Sequence, residues 1–156
     1  MLNFSFEYKK MPVLIPIPIK TQGRGYWTAL KIWLTQSRKW EIAEEFNFFI
    51  NGVEYRISEG FIFDGASIPR LFWAVLSPTG ILLVPGLVHD YVYRYQGLFS
   101  FIAGLIPYTR KQSDQLFREI AISVNGFKAI NKTAYFILRS CGKIAWEKNK
   151  KRKGKK

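Results

Sequence analysis

"FNFFINGVEYRI", Phe46 to Ile57, places an apolar run on each side of Asn51-Gly52. Asn and Gly accept the positive φ angles of a two-residue hairpin turn at little cost, so this stretch predicts two antiparallel strands. Toward the start of the chain, "VLIPIPIK", Val13 to Lys20, is extended by its prolines. Proline donates no ladder hydrogen bond, which places such a segment at a sheet edge. "YWTALKIWL", Tyr26 to Leu34, is aromatic and β-branched enough for a strand, with a short helix as the alternative. On the other side of the hairpin, "GFIF", Gly60 to Phe63, reads as a further short strand running into "DGASIPR".

Beyond that turn the apolar period becomes helical. Pro85 suits a first helical turn, which predicts a helix from about Gly86 to Tyr95, stopped by Gly97. "LFSFIAGLIP", Leu98 to Pro107, is apolar and uncharged, and reads as a buried connector or an exposed lipid-facing loop. Thr109 with Gln112 forms a capping-box pattern that opens a helix through about Val124, with Leu116, Phe117, Ile120 and Ala121 inward. Asn125-Gly126 closes it. A last helix from about Lys128 to Trp146 puts Ile130, Ala134, Ile137, Leu138, Cys141 and Ile144 on one stripe. The expected architecture is α+β: a small N-terminal antiparallel sheet with a hairpin, then three helices, in one domain over residues 1–147.

Composition agrees with a single core, since 48% of the 156 residues are hydrophobic. The net charge of +13 is uneven: "KNKKRKGKK", Lys148 to Lys156, carries seven cations and leaves +6 for the rest. Such a run cannot bury apolar surface, so it predicts a disordered tail that attracts nucleic acid or an anionic membrane face, or merely solubilises the chain. Cys141 stands alone, which excludes an intramolecular disulfide and a Cys-rich zinc site. A reducing compartment fits. The N-terminal stretch is interrupted by three prolines and Lys9-Lys10, unlike a signal peptide. The uncharged run from Leu71 to Val88 is cut by Ser77, Pro78, Thr79, Gly80 and Pro85, unlike a transmembrane span.

The acidic residues are scarce and informative. Eight are glutamates, and the three aspartates are Asp64, Asp90 and Asp114. Short carboxylates on rigid elements make better metal ligands and histidine orienters, because fewer torsions must be frozen. In "LVHDYVYRYQ", Leu87 to Gln96, the only histidine precedes Asp90. On a helix His89 and Tyr93 share a face, whereas Asp90 is turned by about 100°. His89 then suits a water-activating base and Asp90 a ligand for a hard cation. Asp114, from the next helix, suits the orienter of the other ring nitrogen, with the Tyr93 hydroxyl fixing that carboxylate. Each residue also has a purely structural use: a core hydrogen bond for the His-Asp pair, a turn for Asp64, a helix dipole for Asp114, core packing for Tyr93.

One histidine rules out the multi-histidine phosphohydrolases, His-Glu zinc peptidases and His-rich nucleases, while an oxygen-liganded calcium or, second, magnesium site survives. No Gly-rich phosphate loop occurs. Ser67 lacks the elbow motif of a nucleophile and is read with Arg70 and Arg94 as a substrate contact, the arginines as phosphate contacts or solvated charges.

Two resemblances follow from these motifs. "GFIFDGASIPR", "HDYVY", "SDQLF" and "AYFILRSCG" resemble an uncharacterised domain family common in bacteriophages and prophages, from about Phe46 to Gly142. The same order is similar to the secreted calcium-dependent phospholipases of bacteria and fungi. That second resemblance implies calcium held by the Asp64 carboxylate, the Gly65 carbonyl and Asp90. It also implies His89 as base, Asp114 as its partner, and Tyr93 in support of Asp114. Those enzymes brace the site with disulfides, whereas here Ala66 stands at the cysteine position and Val88 precedes the histidine.

The expectation is therefore a phage-encoded calcium-dependent hydrolase of lipid esters, in the host cytoplasm or the virion, without signal peptide or membrane span. Its alternatives are a non-catalytic virion or assembly component binding nucleic acid or virion proteins, and a phosphodiesterase acting on nucleotides.

Overall fold

The computed structural model describes residues 4–20, 22–35, 39–63 and 80–153. Along the chain, β1 (Phe6–Tyr8), β2 (Leu14–Ile17), α1 (Tyr26–Thr35), β3 (Lys39–Ile42), β4 (Phe46–Ile50), β5 (Val53–Ile57) and β6 (Ile62–Phe63) come first. Then follow α2 (Leu83–Tyr95), β7 (Gly97–Ser100), β8 (Gly104–Pro107), α3 (Arg110–Asn125) and α4 (Lys128–Lys153). The architecture is α+β with antiparallel sheets.

The hairpin forms as its turn residues require, with Asn51 at φ 50° and Gly52 at φ 78°. Register pairs Phe46 with Ile57, Phe48 with Tyr55 and Ile50 with Val53. Alternation turns Phe46, Phe48 and Ile50 inward, and the Phe48 ring stacks on Phe46 and Tyr55 at 5.5 and 5.9 Å. One sheet has the order β1-β4-β5-β7-β8 and a second has β2-β3-β6, with proline-bearing β2 at an edge as its composition demands.

The segment read as a connector or lipid-facing loop is instead the β7–β8 hairpin, whose β7 pairs Tyr55 with Ser100 and Arg56 with Phe99. Gly97 permits this pairing, since a Cβ there would lie 2.5 Å from the Ile106 carbonyl oxygen. Tyr26 to Thr35 takes the helical alternative, and the aromatic rings of Tyr26 and Trp27 are exposed, at 73% and 78%.

Helices α2, α3 and α4 pack on one another, and α2 also meets β6 and β7. Leu87, Val88 and Val92 of α2 enter the core formed by the hairpin strands, together with Leu116 and Ile120 of α3. A smaller cluster of Leu82, Phe117, Ala121, Ala134 and Leu138 seals α3 against α4. Helix α3 opens on the expected capping box, with the Gln112 N–H donating to Thr109 Oγ1 and the Thr109 N–H to Gln112 Oε1. At the α3–α4 corner the amides of Asn125 and Asn131 exchange hydrogen bonds of 3.2 and 2.8 Å, which fixes the direction in which α4 leaves.

Two expectations for α4 change. Its inward row is Ala134, Leu138, Gly142 and Trp146, four residues apart, so Cys141 and Ile144 face solvent. The helix also runs to Lys153, through residues expected to be a disordered tail. Lys and Arg are good helix formers, cations near a C-terminus complement the dipole, and buried Trp146 anchors the preceding turn. Within the described residues no helix is long and apolar enough to cross a membrane.

Candidate active site

Helix α2 sets the geometry. Its buried apolar residues fix the rotation, so that His89 and Tyr93, one turn apart, both point at α3 and α4, with ring centroids 4.1 Å apart. Phe117 of α3 closes on the imidazole edge-on at 5.6 Å, and Trp146 of α4 closes on Tyr93 edge-on at 5.1 Å. Gly142 is required here, since a Cβ would lie 2.5 Å from the Tyr93 hydroxyl.

Asp114 occupies the centre and is fully buried. Its Oδ1 accepts from the Tyr93 hydroxyl at 2.6 Å and lies 2.9 Å from His89 Nε2, while Oδ2 accepts from Arg139 Nη1 at 2.6 Å. Burial alone would raise the Asp114 pKa, but the bonds from His89, Tyr93 and Arg139 outweigh it and hold the carboxyl below its ordinary 3.8. An ionised carboxylate only accepts, so the His89 nitrogen facing it must carry a proton and donate. That fixes the tautomer. The other nitrogen, Nδ1, lies 3.8 Å from Asp90 Oδ1. Burial would lower the His89 pKa, but the hydrogen bond to Asp114 and the nearby Asp90 carboxylate prevail and raise it above 6.5. The Tyr93 hydroxyl is pushed well above its ordinary range, first by burial and then by the adjacent carboxylate, so it remains a donor.

Asp90 lies between His89 Nδ1 and a cleft of about 320 Å³ that is bounded by α2, α4 and the second sheet. The cleft is lined by Phe61, Phe63, Tyr93, Asp90 and the cations Lys39, Arg94, Lys148 and Arg152. Arg94 donates to the Ile62 carbonyl at 3.2 Å and sits over the Phe61 ring at 5.6 Å, which fixes its guanidinium at the rim.

The structure thus joins His89, Asp114 and Tyr93 in one network and places Asp90 and Arg94 at the adjoining cleft. Asp64, Gly65, Ser67 and Arg70 lie outside the described residues. Arg139 was missed, although a buried carboxylate demands a counter-cation and "FILRSCG" offers one beside the Leu138 position. Lys148 and Arg152, expected in a disordered tail, are cleft walls. Among the described residues no group of three or more His, Cys, Asp or Glu side chains could hold a metal. Asp114 is committed to its three donors, so of the described cleft residues Asp90 alone offers a carboxylate, short of the six or more oxygens that calcium takes.

A family model described as "Protein of unknown function (DUF1353)" matches residues 40–137, well over half of the chain. The chain belongs to the DUF1353 family. No curated protein matches, nor does any solved structure. The DUF1353 match runs from within β3 to within α4, includes His89, Asp90, Tyr93, Arg94 and Asp114, and ends two residues before Arg139.

Proposed function

We propose that this DUF1353 protein is a phage-encoded, calcium-dependent hydrolase, with membrane lipid esters as its first substrate class. One observation carries the reading: His89 is held at Nε2 by a buried, ionised Asp114 while its Nδ1 faces the aspartate that borders a solvent-reachable cleft. In this mechanism neutral Nδ1 takes a proton from water, and the water oxygen attacks the ester carbonyl. The imidazolium is stabilised by Asp114 and returns the proton to the leaving alcohol. Tyr93 and Arg139 keep Asp114 ionised and in place, and act as positioning residues. Asp90, with the Asp64 carboxylate and the Gly65 carbonyl that the resemblance to phospholipases implies as ligands, would hold calcium, which when bound supplies charge stabilisation at the ester oxygen. The anionic bilayer face reached from the host cytoplasm or the virion is the corresponding place of action.

The test is hydrolysis of phosphatidylglycerol vesicles with calcium or with chelator. Turnover by the natural chain should require calcium and should fall by roughly 10²-fold or more in His89→Gln, the usual range for loss of a general base. Absence of calcium-dependent turnover, or equal turnover in the variant, contradicts the proposal.

A second reading is favoured by the burial of the imidazole, 4% exposed. The network then only clamps α2, α3 and α4 together in a non-catalytic virion or assembly component that binds nucleic acid through Lys148 to Lys156. In that case His89→Gln leaves function intact and removing those residues abolishes it.

A further inference from the structure

The cleft beside Asp90 has a charge pattern that water activation does not call for. Its cations come from three separate elements: Lys39 from β3, Arg94 from α2, Lys148 and Arg152 from α4. On α4, Ala145, Lys148, Asn149 and Arg152 recur at helical spacing, so a single face presents a small residue, two cations and an amide to the cleft. Like charges gathered in a concave hollow repel one another, and the arrangement is relieved by an anion seated among them. Asp90, the one carboxylate among the described lining residues, faces the same space and would repel a second anion but accept from hydroxyl groups.

We propose that this cleft is a binding site for a phosphate ester of a polyol, with Arg94, Lys148, Arg152 and Lys39 gripping the phosphate and Asp90 accepting from its hydroxyls. Arg94 is already oriented by the Ile62 carbonyl and the Phe61 ring, so its remaining N–H groups meet a phosphate with little ordering cost. A volume of about 320 Å³ suits a headgroup or one nucleotide-sized ligand and not a length of nucleic acid. The site also reassigns the basic end of the chain: Lys148 and Arg152 act as parts of a folded wall. Binding here stands whether or not His89 performs hydrolysis.

Glycerol 3-phosphate is the probe, titrated calorimetrically into the full chain at several salt concentrations. Saturable binding that weakens with salt is expected. The pair Lys148→Glu/Arg152→Glu should lower affinity by about tenfold or more, while Lys132→Glu/Lys143→Glu, with the same charge change outside the cleft, should leave it within about twofold. Circular dichroism of both variants verifies the fold. Turnover of vesicle lipid by the natural chain is followed alongside, so a failure of hydrolysis is distinguished from a failure of binding at this site. In a parallel arm, displacement of the chain from phosphatidylglycerol vesicles by glycerol 3-phosphate identifies the ligand as a lipid headgroup, and undisplaced vesicle binding identifies it as a soluble ester. No saturable binding, or equal loss in the two variant pairs, overturns the proposal.

Discussion

A carboxylate as deeply buried as Asp114 survives only because all its partners are supplied: one imidazole, one phenol and one guanidinium. Removing one partner from a buried ionic group typically costs about 3–5 kcal/mol, because the remaining charge is left uncompensated. The pH dependence follows from the directions of the shifts. His89 has a folded pKa above 6.5, so its ionic contribution is fully present below 6.5 and is lost as pH rises through the higher folded value. Asp114, held below 3.8, contributes above that value and is lost only as pH falls through its folded pKa. The stability difference between the natural chain and His89→Gln, measured by urea denaturation, should therefore be largest on the acid side of 6.5 and shrink above it. A difference that grows with alkalinity would contradict a raised pKa. At this scale the sequence was partly legible. The i,i+4 spacing of His89 and Tyr93 and the scarcity of aspartate led to three members of the network. Arg139 was not found, because one arginine in a basic helix carries no signal of burial until its partner is placed.

At the scale of elements, helix α4 decides whether the network closes. Tyr93 is held between Asp114 and Trp146, and the absence of a side chain at Gly142 leaves room for its hydroxyl. Gly142→Ala should favour the isolated helix by up to about 1 kcal/mol. It also forces a methyl into a position already filled, an overpacking cost of about 1–3 kcal/mol. Net destabilisation is expected in thermal or urea melts, together with a change in Tyr93 fluorescence, and a stabilised variant would show that the two helices are less closely seated. Elements with a local chemical signal were legible: the Asn51-Gly52 hairpin, the Thr109-Gln112 capping box and edge strand β2. Those lacking one were not. β7 and β8 are apolar on both faces and have no two-residue turn, so nothing in their alternation distinguished a strand from a connector. The end of α4 was read from charge alone, which discounted the helix propensity of Lys and Arg.

At the scale of the molecule, a hairpin-based sheet supplies the core against which α2 is fixed, and α3 and α4 then bring Asp114 and Arg139 to the histidine from two further directions. Residues more than twenty positions apart meet without a disulfide, since Cys141 is exposed and has no other cysteine to pair with. Packing alone brings them together. Phe117, Leu138 and the Asn125–Asn131 amide pair hold the α3–α4 corner. Because His89 is the only histidine, nitrogen NMR of the imidazole reads the centre of this assembly without assignment ambiguity. The account predicts a ring that keeps its proton on Nε2, titrates at Nδ1, and does so above 6.5. A ring protonated at Nδ1 when neutral, or one that titrates below 6.5, would contradict it.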